Sequence, residues 1–175
     1  MKTKKIVRAA LIAAVYTVLC IALAPISYNA LQVRVSEALT LLPVLGPWSI
    51  VGVTLGCMLS NLVGAFIGAN ILGFVDVLFG TLATLLAALC TYWLRRVRVK
   101  GLPLLACVPP VLFNAVIIGA ELTFAMAGGW NWQIFAVQAL WTALGEALAV
   151  FVLGLPMIKV IEKNPALKAF FNDKE

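Results

Sequence analysis

Five apolar stretches, at residues 6–24, 48–66, 72–94, 102–127 and 132–158, dominate this 175-residue chain. Each is long enough to cross roughly 30 Å of hydrocarbon as a helix of about 20 residues, the last two with tilt. The charge that would cover a soluble surface is missing. Residues are 63% hydrophobic and 11% charged, against about a quarter charged in a typical soluble domain. The chain therefore reads as an all-α integral membrane protein of one domain, residues 1–175, with no room for a separate soluble one. The first stretch imitates a secretory signal, with a small-x-small pattern at Ala22 and Ala24. Pro25 after the cut disfavours cleavage, and Leu19 before Cys20 spoils a lipoprotein site. It reads as a retained first span.

Charge sets the topology. The net charge is +6, but the basic residues sit in three short flanks: Lys2, Lys4, Lys5 and Arg8; Arg95, Arg96, Arg98 and Lys100; Lys159, Lys163, Lys168 and Lys174. Such flanks mark the cytoplasmic side of spans, not a nucleic-acid surface. The N-terminus, the 95–100 loop and the C-terminus then share the cytoplasmic side. An even number of crossings must precede Arg95, yet only three long stretches do. The fourth crossing falls on residues 35–46. This predicts six helices, at 6–24, 35–46, 48–66, 72–94, 102–127 and 132–158, and a cytoplasmic tail at 159–175. As an α-helix, 35–46 rises only about 18 Å, so it must be shielded by its neighbours. Pro43 and Gly46-Pro47 make the turn back. Residues 25–34, 67–71 and 127–132 fall outside. Pro109-Pro110 is expected to kink the fifth helix.

Small residues recur every four positions in the third predicted helix: Gly52, Gly56, Ser60, Gly64 and Gly68. That spacing makes one face that another helix can approach closely. Gly80, Thr84 and Ala88 form a weaker stripe. The first helix carries two such pairs, Ala9 with Ala13 and Ala10 with Ala14, which suit internal packing or docking of a membrane partner.

Ionisable groups inside a membrane cost about 2.5–3.5 kcal/mol at a helix centre and are functional candidates by default. They are Glu37, Asp76, Glu121 and Glu146, with Arg34 at the edge. Asn61, Asn70, Asn114, Gln133, Gln138 and Thr142 are neutral companions. The topology gathers most of them in the extracellular half, which favours a pocket open to the outside over a continuous pore. Trp130, Trp132, Trp141, Phe66, Phe74 and Tyr28 offer flat walls. Carboxylates and amides with aromatic walls suit a planar small molecule rich in N–H donors. Structural readings stand beside these. Glu37 pairs with Arg34 at i,i+3, or lines the site. Asp76 caps a helix. Asn61 and Asn114 hold helices together. Glu121 and Glu146 have no basic residue nearby in sequence, which leaves function as the better reading for both.

The chain has no histidine, which removes the commonest proton shuttle and metal ligand. Its cysteines, Cys20, Cys57, Cys90 and Cys107, lie in apolar stretches without a C-x-x-C pair and read as buried hydrophobes. No phosphate loop, H-E-x-x-H or G-x-S-x-G motif is present. An intramembrane enzyme is disfavoured on these grounds. A solute-binding subunit of an ATP-driven importer, or a self-sufficient secondary transporter or channel, remain.

"QVRVSEALTLLP" at 32–43, "FVDVLFGTLATLLAALCTYWLR" at 74–95 and "GEAL" at 145–148 resemble the QueT family, the substrate-binding S components of energy-coupling factor (ECF) transporters assigned to queuosine precursors. The resemblance runs along nearly the whole chain. It implies a six-helix S-component bundle in a bacterial plasma membrane that captures a 7-deazaguanine, such as preQ0, preQ1 or queuine, from outside. It also implies docking through Ala9/Ala13 or Ala10/Ala14 on a transmembrane T subunit with two ATPases. ATP would be hydrolysed by those partners, with no cofactor in this chain. One of Glu121 and Glu146 would read the guanine-like edge while a tryptophan stacks on the ring. A related S component for another vitamin is the alternative within the same scaffold.

Overall fold

Backbone N–H and C=O groups have no water to bond in lipid, so the apolar stretches satisfy them internally as helices. The computed structural model describes residues 2–24 and 34–171. Among the described residues, five rods are long and apolar enough to cross a membrane. They begin with α1 (Lys2–Ala22), α2 (Trp48–Phe66), α3 (Phe74–Leu94) and α4 (Val108–Ala127). The fifth is continuous over Trp132–Lys163 and comprises α5 (Trp132–Ala147), a π-helical segment (Leu148–Gly154) and α6 (Leu155–Lys163). A short α7 (Pro165–Phe171) follows. No strand forms among the described residues, and a lone bridge between Val99 and Leu102 closes the turn after α3.

The sixth predicted helix is present but is not an α-helix. Val35–Val44 forms a ten-residue 3₁₀ helix. At about 2.0 Å per residue it reaches roughly 20 Å. Every residue from Ser36 to Val44 is buried, so the expected shielding by neighbours holds. Runs this long are uncommon because side chains at i and i+3 eclipse. Here that eclipsing gives three ridges, each with its own neighbour. Leu39 and Leu42 face a groove shared with α1 and α6. Ala38 and Leu41 meet Gly154, where a Cβ would lie 2.9 Å from Leu41 Cδ1 and 3.1 Å from the Ala38 oxygen. Glu37 turns to α1. The 3₁₀ helix thus forms the axis of the bundle, packed against the π segment, α3, α1, α2 and α6. Around it, consecutive rods pack as neighbours: α1 on α2, α2 on α3, α3 on α4 and α4 on α5.

Two boundaries differ from the sequence reading, and proline accounts for each. Pro109-Pro110 does not kink the helix beginning near 102. A 3₁₀ turn (Leu104–Cys107) comes first, and the prolines occupy the opening turn of α4, where their missing N–H costs nothing. The last rod runs past 158 to Lys163. Pro156 supplies no N–H and crowds the preceding turn, and the helix widens to π geometry just before it. Within the predicted tail at 159–175, residues up to Lys163 continue the rod and Pro165–Phe171 forms a short helix. Asn164 makes the turn, accepting from the N–H groups of Ala166 and Leu167 at 3.0 and 3.3 Å.

The small-residue stripe of α2 faces α1. A Cβ at Gly52 would lie 2.8 Å from Ile12 Cβ, and one at Gly56 would lie 2.7 Å from Tyr16 Cβ. Ala9 and Ala13 are buried in this contact, at 6% and 4% exposure. Ala10 and Ala14 point outward. The stripe ends at Gly64, because Gly68 lies beyond the helix in a left-handed turn (φ 71°).

All three basic flanks gather at one end. Lys5 stacks over Trp48 at 4.5 Å and Arg8 over Phe170 at 5.5 Å. Arg98 grips Glu162 through two contacts, at 2.7 and 3.2 Å. The opposite end carries the turns at 67–73 and 128–131.

Candidate functional site

Four of the seven acidic residues lie inside the bundle: Glu37, Asp76, Glu121 and Glu146, none more than 9% exposed. A buried carboxylate is stable only when paired or hydrogen-bonded. The four are met very differently.

Asp76, in the first turn of α3, is met at one oxygen, while its Oδ1 is buried without a hydrogen-bond partner among the described residues. Its Oδ2 accepts from Arg34 Nη2 at 2.9 Å and from Asn70 Nδ2 at 2.8 Å. Asn61 Nδ2 on α2 donates to the Asp76 backbone oxygen at 3.0 Å. Gly80, one turn on, leaves the space: a Cβ there would lie 2.7 Å from Asn61 Nδ2. Asn70 in turn fixes the preceding loop, its Oδ1 accepting from the Leu72 N–H at 3.0 Å. Asp76 is therefore an ion-pair partner across the bundle. The carboxylate that meets Arg34 is Asp76, not Glu37. Arg34 is the extended N-cap of the 3₁₀ helix (φ −83°, ψ 103°), so it does not share a helical ridge with Glu37, as the i,i+3 reading requires.

Glu37 takes its hydrogen bond from α1, where the Tyr16 hydroxyl donates to Oε1. Tyr16 is fully buried. The sequence reading missed it, although a tyrosine in the middle of an apolar span is a signal: its hydroxyl needs a partner when buried. Glu37 Oε2 has no partner among the described residues.

Glu146 lies on the buried face of α5 with Thr142 and Gly145. The Asn114 amide of α4 sits beside its carboxyl, and Glu37 and Arg34 are within its electrostatic reach. Glu146 Oε2, Asn114 Nδ2, Thr142 Oγ1 and Asn61 Oδ1 are all buried without a hydrogen-bond partner among the described residues. Native interiors hold few such atoms. They come from α2, α4 and α5, and with Glu37 Oε2 on the 3₁₀ helix they leave several polar atoms inside the bundle free to receive polar groups.

Glu121 stands apart. Both its oxygens are buried and unpartnered among the described residues. It is the one carboxylate on a cavity of about 540 Å³ between α3 and α4, with Leu72, Val75, Phe79, Ile117 and Phe124 among the walls.

The expected aromatic walls fall elsewhere. Trp130 and Trp132 pack edge to face at 4.9 Å, with Phe124 and Phe135 beside Trp130. They are 43% and 72% exposed. Trp141 is 45% exposed, and Gln138 is half-buried, its amide donating to Met126 Sδ at 3.1 Å. Phe66 and Phe74 form an exposed T-shaped pair. These rings lie on the lipid-facing or interfacial surface, where amphipathic aromatics collect. Phe79 and Phe124 line the open groove beside Glu121 and are themselves 45% and 55% exposed. Tyr28 lies outside the described residues.

Several of the buried polar groups lie toward the end opposite the basic flanks, while Asn114 and Glu146 lie deeper in the bundle. Asn61 is near the close of α2, Asp76 near the start of α3, and Glu121 in the last two turns of α4. Chemically, the unpartnered carboxyl and amide atoms suit a small molecule that carries both hydrogen-bond donors and acceptors. No solved structure matches the chain. A relative, "Queuosine precursor transporter QueT" of Lactococcus lactis subsp. cremoris (strain MG1363), is 40% identical over 86 residues, which cover 48% of this chain and 47% of that protein. The match thus spans about half the length of the relative. The family model described as "QueT transporter" matches residues 6–163, nearly the whole multi-pass bundle, and the chain belongs to the QueT transporter family.

Proposed function

We propose that this chain is the substrate-binding S component of an ECF-type importer, and that it captures a queuosine precursor, a 7-deazaguanine, on the outer face of a bacterial plasma membrane. The observation that carries this reading is a set of buried polar atoms inside the bundle, Glu37 Oε2, Glu146 Oε2, Asn61 Oδ1 and Asn114 Nδ2, with no hydrogen-bond partner among the described residues. A guanine-type base presents N–H donors and a carbonyl acceptor along one edge. Carboxylates accept the former, and amide N–H groups donate to the latter. The name of the Lactococcus relative agrees with that chemistry.

In this reading the 3₁₀ helix counts as the sixth crossing, and its roughly 20 Å suffices because protein, not lipid, surrounds it. Both termini lie in the cytoplasm, as the common end of the basic flanks favours. The polar end then faces outward. Docking on the T subunit falls to Ala10 and Ala14, since Ala9 and Ala13 are occupied by α2. Two partner ATPases hydrolyse the ATP, and this chain needs no cofactor of its own.

The test is equilibrium binding of 7-deazaguanine bases to the purified protein in detergent, with mass spectrometry of any small molecule that co-purifies. Submicromolar binding is expected, and the molecule recovered should be a deazaguanine. Recovery of a different vitamin would replace the substrate assignment. Uptake by liposomes holding this chain alone would replace the S-component role with a self-sufficient transporter.

A further inference from the structure

A groove of about 380 Å³ opens on the flank of the bundle between α1, the 3₁₀ helix, α6 and α7. Its walls are apolar, with Leu11, Ile12 and Val15 of α1, Leu39 of the 3₁₀ helix, and Phe170 and Phe171 of α7 among them. The short α7 folds back to form one side: the Phe171 backbone oxygen lies 3.3 Å from where a Cβ on Gly46 would sit. The groove is open to its surroundings, since Leu11 and Val15 are 52% and 42% exposed. Within a membrane, a concave apolar surface of this kind is covered by an acyl chain or by another helix.

Charge decides between the two. Residues three and four apart share a helix face. The face of α1 that lines the groove therefore runs, toward the N-terminus, from Val15 through Ile12 and Leu11 to Arg8 and then Lys4. It is apolar along the groove and basic beyond it. Arg8 reaches the groove wall itself, its guanidinium lying over the Phe170 ring at 5.5 Å. Lys4 and, on α7, Lys168 are exposed at the same end. Among the described residues the only acid at this end is Glu162, and Arg98 holds it at 2.7 Å. Apolar walls below basic side chains are complementary to an acyl chain beneath a negatively charged headgroup. The small-residue face of α1, at Ala10 and Ala14, suits a helix instead. It lies about 100° round the axis from Leu11 and Val15, so the two faces are distinct.

We propose that this groove is a binding site for an anionic phospholipid, with an acyl chain against Leu11, Val15, Leu39 and Phe171 and the headgroup phosphate against Arg8 and Lys4.

The experiment is lipid titration of the intact protein in neutral detergent, read by native mass spectrometry, with phosphatidylglycerol and phosphatidylcholine of identical acyl chains as probes. A basic group near an anionic headgroup is worth about fivefold in affinity. The parent should therefore prefer phosphatidylglycerol by about tenfold or more. Lys4→Gln and Arg8→Gln should each cut phosphatidylglycerol affinity about fivefold and leave phosphatidylcholine within about twofold. Retained phosphatidylcholine binding is the control for folding. Leu11→Trp, which fills the groove, should abolish specific binding of both lipids. Should it fail to purify as a monodisperse protein, Val15→Trp is read in its place, with the same loss expected. Free sn-glycerol 3-phosphate, which has the phosphate and no chain, should not bind. Equal affinity of the parent for the two lipids, equal loss of both in the charge variants, or binding of glycerol 3-phosphate as tight as that of the lipid overturns the proposal. So does a Leu11→Trp protein that binds phosphatidylglycerol like its parent but no longer assembles with its transmembrane partner subunit, which would give the groove to a protein helix.

Discussion

Replacing Gly56 with alanine tests the packing that supports the site. A methyl group there would lie 2.7 Å from Tyr16 Cβ, 2.9 Å from Tyr16 Cγ and 3.1 Å from the Ala13 backbone oxygen. Carbon atoms pack comfortably at about 3.5–4.0 Å, so the two helices must separate by about 1 Å. Tyr16 cannot swing aside: it is fully buried and its hydroxyl is held by Glu37. The Ala13 oxygen is backbone and moves only with α1. Alanine in a helix interior gains about 0.5–1 kcal/mol over glycine, while overpacking costs about 1–3 kcal/mol. The contact is with a Cβ and a backbone atom rather than the tip of a flexible chain, so the upper half of that cost applies. The net expectation is a destabilisation of about 1–2 kcal/mol, or about 2–8 °C in Tm for a chain of this size. Tyr16 shifts with α1, so its bond to Glu37 lengthens and ligand affinity falls too. Thermal unfolding in detergent, followed by tryptophan fluorescence, reads the first effect, and equilibrium binding reads the second. Gly129→Ala is the control, because nothing lies within 4 Å of a Cβ there. A Gly56→Ala protein as stable as its parent, with the same affinity, would refute the close α1–α2 contact and its link to Glu37.

Three further outcomes are expected. Asp76→Asn leaves the Arg34 guanidinium buried without its carboxylate and should cost about 3–5 kcal/mol, seen as a large drop in Tm or failure to purify as a folded protein. Tyr16→Phe removes the hydroxyl that donates to Glu37 and should cost about 1.5–3 kcal/mol, the value of a hydrogen bond to a charged group, in a calorimetric or fluorescence melt. Ala10→Trp and Ala14→Trp, on the outward face of α1, should leave binding unchanged and abolish uptake with the partner subunits. Ala13→Trp, at 4% exposure, should instead fail to fold, and uptake by the Ala10 and Ala14 variants at the parent rate would remove the docking assignment.

Much of the molecule was legible one residue type at a time. Apolar length placed four of the five long rods to within a few residues, and charge alone pointed to an additional element at 35–46, because spans and basic flanks follow from the bilayer itself. The candidate carboxylates were also legible, since an acidic residue inside an apolar run is conspicuous whatever the fold. Partner choice was not. Arg34 pairs 42 positions away with Asp76, and Glu37 pairs 21 positions away with Tyr16. No local spacing encodes either contact.

The same divide separates the remaining differences. The aromatic residues near the polar end, Trp130, Trp132 and Trp141, fit a pocket wall or an interfacial belt equally well by composition, and only their exposure assigns them to the surface. The two alanine pairs of α1 are equivalent in sequence. The rotation of α1 against Gly52 and Gly56 buries one pair and leaves the other outside. The 3₁₀ form of Val35–Val44 likewise depends on being surrounded, since its three ridges are useful only where three sides are packed. The sequence by itself determined that this chain crosses a membrane as helices and gathers its acids toward one end, because hydrophobic length and charge act on each segment alone. Which acid meets which partner, which helix face stays open, and where an unpaired carboxylate is left over were decided only when the helices packed, because those are relations between segments distant in the chain.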